Sequence, residues 1–153
     1  MLSSYAHPVP VVCGCLQSAG AQFAAKVVKT DFSDERDVVV MDIAGAYEVK
    51  SLKSLVRTFV FDRAAKTFRV TDRAEFSEPT EFEEAYTTFD GRMFGKVDVA
   101  VAVAAGGEVV RSSERVDNPE RISPARHSVR FAAPVAAAEI TFTFKPIKPG
   151  DKK

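Results

Sequence analysis

Both cysteines of the chain, Cys13 and Cys15, lie in one short stretch, SSYAHPVPVVCGCLQSAG, together with His7, one of only two histidines. A thiolate is a nucleophile and a metal ligand, and imidazole is a common ligand and acid–base group near neutral pH. The stretch therefore raises a metal site or a redox pair. Its spacing argues against both. Cys13-Gly14-Cys15 is not a CxxC motif, and a disulfide between residues two apart closes a strained ring. A zinc site needs further ligands, and the chain holds no second cysteine pair. A catalytic cysteine needs a base beside it, and no spacing ties either histidine to one. Cys13 and Cys15 are thus expected to be two small residues at a strand turn. His7 alone makes neither a metal site nor an acid–base pair. His127, in SPARHSVRF, opens a terminal strand and is read as structural.

Other candidate chemistry is sparse. The acidic run Glu75, Glu78, Glu81, Glu83 and Glu84 has the residue type of a cation site. Runs of charge usually stay in water, so a solvated strand face is expected. There is no Walker loop, dinucleotide-binding glycine pattern, GxSxG elbow or HExxH, which leaves the common nucleotide, hydrolase and zincin readings unsupported.

The elements that must position these residues are strands. "DVVVMDI" is a β-branched run bounded by charges. "SLVRTFVFDR" and "KTFRVTDRAEF" alternate with period two around the turn "DRAAKT". "VTDRAEFSEPTEFEEAYTTF" continues as one or two long strands, with Pro79 at a break or an edge. "KVDVAVAVA", "HSVRFAAPV" and "AEITFTFKP" complete the set, with "FDGR" and "AAGGE" as further turns. Only short segments suit a helix: Ala21–Val28, whose composition also fits a strand, and "AYEVKSLKSL", which also reads as a loop around Tyr47. The expected fold class is all-β, an antiparallel β-sandwich or stacked-sheet domain. Residues 1–145 are expected to form a single domain, with 146–153 a disordered, Pro-rich, charged tail.

Bulk composition agrees with one globular domain. The chain has 153 residues, 46% of them hydrophobic. Twelve Phe and no Trp point to a core of Phe and Val. Lys plus Arg is 21 and Asp plus Glu is 21, so no net field gathers nucleic acid or an anionic membrane, and neither partner is expected. No apolar run reaches the ~20 residues of a spanning helix. "MLSSYAHPVP" lacks a basic n-region and an apolar h-region, so no signal peptide is expected there. That leaves a cytoplasmic chain, or one whose natural N-terminus is lost, equally open.

Several motifs, taken in order, resemble the C-terminal β-sheet region of heparinase II/III-like polysaccharide lyases. That region carries an Asp-x-x-x-Ala-Tyr element, an Arg-containing strand, an Asp-Arg turn and a Val-x-Asp-x-Phe-like strand. Here these are Asp42, Ala46 and Tyr47, then Val56-Arg57-Thr58-Phe59, then Asp62-Arg63, then Val70, Asp72, Arg73 and Phe76. "RHSVRFAAPVAAAEITFTFKP" is similar to the closing strands, and "SSYAHPVPVVCGCLQ" to an opening Ser-Thr-x-Ala-His-Asn element.

The resemblance implies a role. In that family an α/α-toroid precedes the β-domain, and the whole performs β-elimination on uronic-acid-containing glycans. The base and acid, mainly Tyr and His, lie upstream of the part matched here. No catalytic residue is expected in this chain, which would support a catalytic toroid and be inactive alone. His7 matches a histidine that ligates a structural zinc in some members, with a His and an Asp from upstream strands as partners. Pro8 replaces the usual Asn, and Cys13 stands where Asp or Asn is usual. Zinc is thus implied for the full-length family and not as a tight ligand of this chain. Tyr47 is expected to pack beside the Arg57 strand. Exposed strand edges would favour self-association, and a polysaccharide would be met only through the catalytic domain. The alternative is a free-standing carbohydrate-binding or structural β-sandwich module.

Overall fold

Strict alternation along Leu52–Asp62 and Thr67–Thr80 sends Leu55, Arg57, Phe59 and Phe61 to one face, with Phe68, Val70, Asp72 and Ala74 beside them. The computed structural model describes residues 4–89, 97–117 and 123–147. Its strands are β1 (Val11–Val12), β2 (Lys26–Phe32), β3 (Arg36–Asp42), β4 (Leu52–Asp62), β5 (Thr67–Thr80), β6 (Phe82–Thr88), β7 (Val97–Ala105), β8 (Val109–Arg115), β9 (Ala125–Phe131) and β10 (Val135–Pro146). Single 3-10 turns occur at Ser4–Ala6 and Ala44–Ala46. The β4–β5 hairpin closes where Asp62 Oδ1 accepts the Ala65 N–H at 2.8 Å and Lys66 takes φ 52°.

Two antiparallel sheets result. The larger has the order β2-β3-β4-β5-β10-β7 and the smaller β1-β6-β9-β8. The expected all-β sandwich is the observed fold. The chain crosses from the larger to the smaller sheet at Glu81, just past Pro79. Between the sheets lie Leu55, Ala74, Phe76, Ile140 and Phe142 from one side and Val12, Phe82, Val129 and Phe131 from the other. Phe82 joins the layers, with ring centroids 5.9 Å from Phe76 and 6.4 Å from Phe131.

Register orders the inner face of the larger sheet into rows. Met41, Arg57, Asp72, Ile140 and Val103 form one row. Thr30, Val39, Phe59, Val70, Phe142 and Val101 form the next, and Phe32, Asp37, Phe61, Phe68, Phe144 and Val99 the one beyond. The smaller sheet leaves the last row open: Phe32 is 66% exposed, Phe61 42% and Phe68 39%.

Some sequence expectations change. Ala21–Val28 resolves as turn and coil leading into β2, which begins only at Lys26. β8, "VVRSSER", was not among the expected strands: only Val109 is half-buried, so no alternation marks it. β10 runs on to Pro146. The turn "FDGR" beyond Phe89 and the tail from residue 148 lie outside the described residues.

The β7–β8 turn gives a paired test. Gly106 has φ +119°, and a Cβ there would meet the Phe131 ring at 2.3 Å. Gly107 has φ +112° with nothing within 4 Å. Alanine at either site takes the left-handed strain of roughly 1–2 kcal/mol, and only Gly106→Ala adds a core collision of about 1–3 kcal/mol. Denaturant melts should therefore rank Gly106→Ala below Gly107→Ala; equal losses would show that the Phe131 contact is not made.

Candidate functional site

The inward row of β4 and β5 carries charge where apolar residues are expected. Arg57 binds Asp72 through one edge of its guanidinium, Nε to Oδ1 at 2.8 Å and Nη2 to Oδ2 at 2.5 Å. From the facing sheet, β6 turns Glu84 inward, and its Oε2 lies 3.4 Å from Arg57 Nη2. The three side chains are 8%, 2% and 1% exposed. One cation thus serves two buried carboxyl groups. Burial, then the charge of Asp72, pushes the Glu84 carboxyl well above its ordinary range, and Arg57 opposes this only in part. The nearby Asp72 carboxyl also favours the protonated form of Glu84 by hydrogen bonding to it. Glu84 Oε1 has no hydrogen-bond partner among the described residues. Burial works against the Arg57 charge, but the Asp72 bond and Glu84 more than offset it, so the guanidinium holds its proton more tightly than usual.

This cluster anchors the N-terminal segment. Arg57 Nη1 donates to Pro8 O at 2.8 Å, and the Tyr47 hydroxyl donates to Pro10 O at 2.8 Å. Burial, then the Glu84 charge, pushes the Tyr47 phenol up. A second arginine repeats the device. Arg126, 1% exposed, donates from Nε to Tyr5 O at 3.1 Å, lies 4.5 Å over the Tyr5 ring and pairs with Glu83 at 2.5 Å. The Tyr5 hydroxyl in turn donates to Glu114. Ser4 to Pro10 is thereby strapped across the mouth of the sandwich.

Under the strap lies a cleft of about 620 Å³. Its larger wall is Phe59, Phe68, Val70, Phe142 and Phe144, with Tyr86 opposite and Pro8 and Val9 at the strap. The Phe59 and Phe68 rings are nearly parallel (17°, centroids 6.0 Å apart), and Phe144 lies 6.1 Å from Phe68 at a tilt of 36°. Arg57 lines one end, with three of its donors given to Asp72 and Pro8. The cleft's walls are mainly apolar, Ser4, His7 and Gln17 also line it, and it brings together no acid–base pair.

The residues singled out in the sequence fall as follows. His7 is exposed on the rim of the cleft. Cys13 and Cys15 are exposed free thiols at a tight turn, with Cys13 at φ 52° and a bridge from Val12 to Cys15. Among the described residues no group of three or more His, Cys, Asp or Glu side chains is placed to hold a metal. The residues around His7 do not by themselves fit a zinc ion. His127 stacks on Tyr86 with centroids 4.7 Å apart, and its ring nitrogens meet Thr88 Oγ1 at 2.9 Å and Ser113 Oγ at 3.0 Å. Tyr47 packs beside Arg57, as expected. The acidic run divides: Glu75, Glu78 and Glu81 are exposed, Glu83 pairs with Arg126, and Glu84 is fully buried. The solvated-face expectation fails for Glu84 because β6 alternation places it between Phe82 and Tyr86. The missed signal was charge at inward positions: Leu55-x-Arg57-x-Phe59, Val70-x-Asp72-x-Ala74 and Phe82-x-Glu84-x-Tyr86.

No protein-family model matches the chain, and no curated protein matches it in sequence. In structure it is similar to heparan sulfate lyase HepC from Pedobacter heparinus, with a TM-score of 0.72 at 11% identity, over 98% of this chain and 25% of that one. A heparinase III superposes with a TM-score of 0.70 at 11% identity, over 93% of this chain and 24% of its own. A HepC mutant gives 0.69 at 12%, over 98% and 25%. The chain spans about a quarter of the length of these structures. The likeness establishes a shared fold, the one that the sequence resemblance implies.

The raised Glu84 carboxyl sets a pH dependence. Above about pH 4.3 an unfolded Glu has lost its proton while the folded one keeps it. The folded state then binds more protons, so raising pH favours unfolding, by up to about 1.4 kcal/mol per pH unit until Glu84 ionises. Denaturant melts from pH 5 upward should show stability falling in the wild type and a shallower fall in Glu84→Gln. An identical slope in the variant would place the titration elsewhere.

Proposed function

We propose that the chain is the β-sheet domain of a heparinase II/III-like polysaccharide lyase and that it supports β-elimination on a uronic-acid-containing glycan without performing it. The observation that carries this reading is the fold shared with HepC over 98% of the chain, at a quarter of that protein's length. β-Elimination needs a base that reaches the proton beside the carboxylate, a donor that neutralises the carboxylate, and an acid at the leaving oxygen. The acidic and phenolic groups gathered here do not meet those requirements. Glu84 is sealed in the core, and the Tyr47 hydroxyl is buried and committed to Pro10. They stabilise a platform. His7 enters the proposal as one zinc ligand whose partners belong to the rest of a longer polypeptide.

A free-standing glycan-binding module is the second reading, and the aromatic wall of Phe59, Phe68 and Phe144 favours it. Against it, sugar hydroxyls entering a mainly apolar cleft need hydrogen-bond partners, and Arg57 already gives three of its donors to Asp72 and Pro8.

The two readings separate by experiment. An antibody raised against the chain is expected to detect, in its source cells, a polypeptide several times longer than 153 residues. The chain alone is expected to release no unsaturated uronate from heparan sulfate or alginate, as followed by ultraviolet absorbance, and to bind no member of a glycan array. A native protein of this length that binds glycans would establish the module instead. Elimination by the chain alone would place the chemistry within it.

A further inference from the structure

β2 is one outer edge of the six-stranded sheet, and all seven of its residues are exposed. Its apolar side chains stand in water: Val27 is 62% exposed, Val28 63% and Phe32 66%. An edge of this kind presents unpaired peptide groups to any strand of matching pattern.

The pattern that matches is its own. In an antiparallel ladder, opposed residues alternate between pairs that exchange hydrogen bonds and pairs that do not. At the β2–β3 turn the Ser33 N–H donates to Arg36 O at 2.9 Å, which makes this a bonded pair. Counting back, Asp31 and Lys29 aim their peptide groups at β3, and Thr30 and Phe32 aim theirs outward. A second copy of β2, run antiparallel about a two-fold axis at Thr30, meets the outward groups of Thr30 with those of its own Thr30. That register sets Lys29 opposite the second copy's Asp31, and Asp31 opposite its Lys29. It also sets Val28, which the β2 bulge leaves without a partner on β3, opposite the exposed Phe32. Beyond the strand, Lys26 falls opposite Asp34. Each of these pairings occurs twice. β8, the exposed edge of the smaller sheet, has no such match: centred on Ser113 it sets Arg111 against Arg115, and centred on Ser112 it joins no opposite charges.

We propose that the chain forms a two-fold dimer through β2, pairing Lys29 with Asp31 across the axis and joining two six-stranded sheets at Thr30. Cross-strand pairs of opposite charge stabilise a ladder and like charges directly opposed destabilise it, so the Lys29–Asp31 pairs set the register. The covered side chains are the exposed valines and Phe32, which removes the largest apolar exposure of the edge. The inference uses only β2 and does not depend on the lyase reading.

Sedimentation of the chain over a concentration series tests it. The wild type is expected to pass from monomer to dimer. Lys29→Asp and Asp31→Lys are each expected to weaken the dimer about tenfold, as two attractive cross-strand pairs become like-charge pairs. The double variant Lys29→Asp with Asp31→Lys is expected to restore it. Thr30→Pro is expected to leave a monomer, because it removes an outward N–H and spares the β2–β3 bonds. Circular dichroism melts confirm that each variant is folded. A wild type that stays monomeric throughout, single swaps without effect, or a double variant as weak as the singles overturns the proposal.

Discussion

A single guanidinium shared by two buried carboxyl groups is the constraint around which the sandwich is arranged. Strand alternation leaves Arg57, Asp72 and Glu84 no way out to solvent, because each sits between apolar neighbours on the same face. Removing an unpaired charge from water costs several kcal/mol, so the three must meet. That requirement ties β4 to β5 in one sheet and both to β6 in the other. Apolar packing would tolerate small slips between the layers, whereas a bidentate contact with a third group behind it tolerates few.

The same cluster explains the N-terminal strap. Pro8 has no N–H, and neither has Pro10, so neither residue can donate into a ladder, yet their carbonyls need partners once the segment is drawn against the protein. Arg57 and Tyr47 supply those partners from the core, and Arg126 does so for Tyr5. The groups that hold the segment are therefore buried polar side chains of the sandwich, more than 30 residues away in sequence. The cleft follows from this: its strap wall exists because the charged row faces inward, and its aromatic wall is the next two rows of the same sheet.

How far this was legible from sequence depends on how local the cause is. The β4–β5 hairpin announced itself through period-two alternation and an Asp at the turn, and the valine and phenylalanine runs of β3, β7 and β10 did likewise. β8 was silent because its environment is nearly uniform, and exposed strands need no alternation. Cys13 and Cys15 could be placed at a turn from their spacing alone. Glu84 could not be placed by composition, since an acidic run in water and an acidic run with one buried member look alike. What distinguishes Glu84 is parity: it shares a face with Phe82 and Tyr86, whereas Glu83 and Glu81 do not. Counting parity against the apolar frame, and then asking whether opposite charges fall on inward positions of different strands, would have found the cluster. The strap contacts have no comparable signal, because backbone carbonyl acceptors carry no residue identity.

A buried ion pair is weak evidence for stability, since apolar residues of equal volume often serve as well or better. What apolar residues at these three positions could not supply is a donor for Pro8. Replacing Arg57, Asp72 and Glu84 together would leave the sandwich able to close while that carbonyl lost its partner. Replacing Arg57 alone would strand two carboxyl groups and damage the core itself. The triad is better understood as the fixture that orients the segment across the mouth of the sandwich than as the source of the fold's stability. That division of labour suits a domain whose contribution is the placement of surfaces: the core comes from phenylalanine and valine, and the charges decide what lies over it.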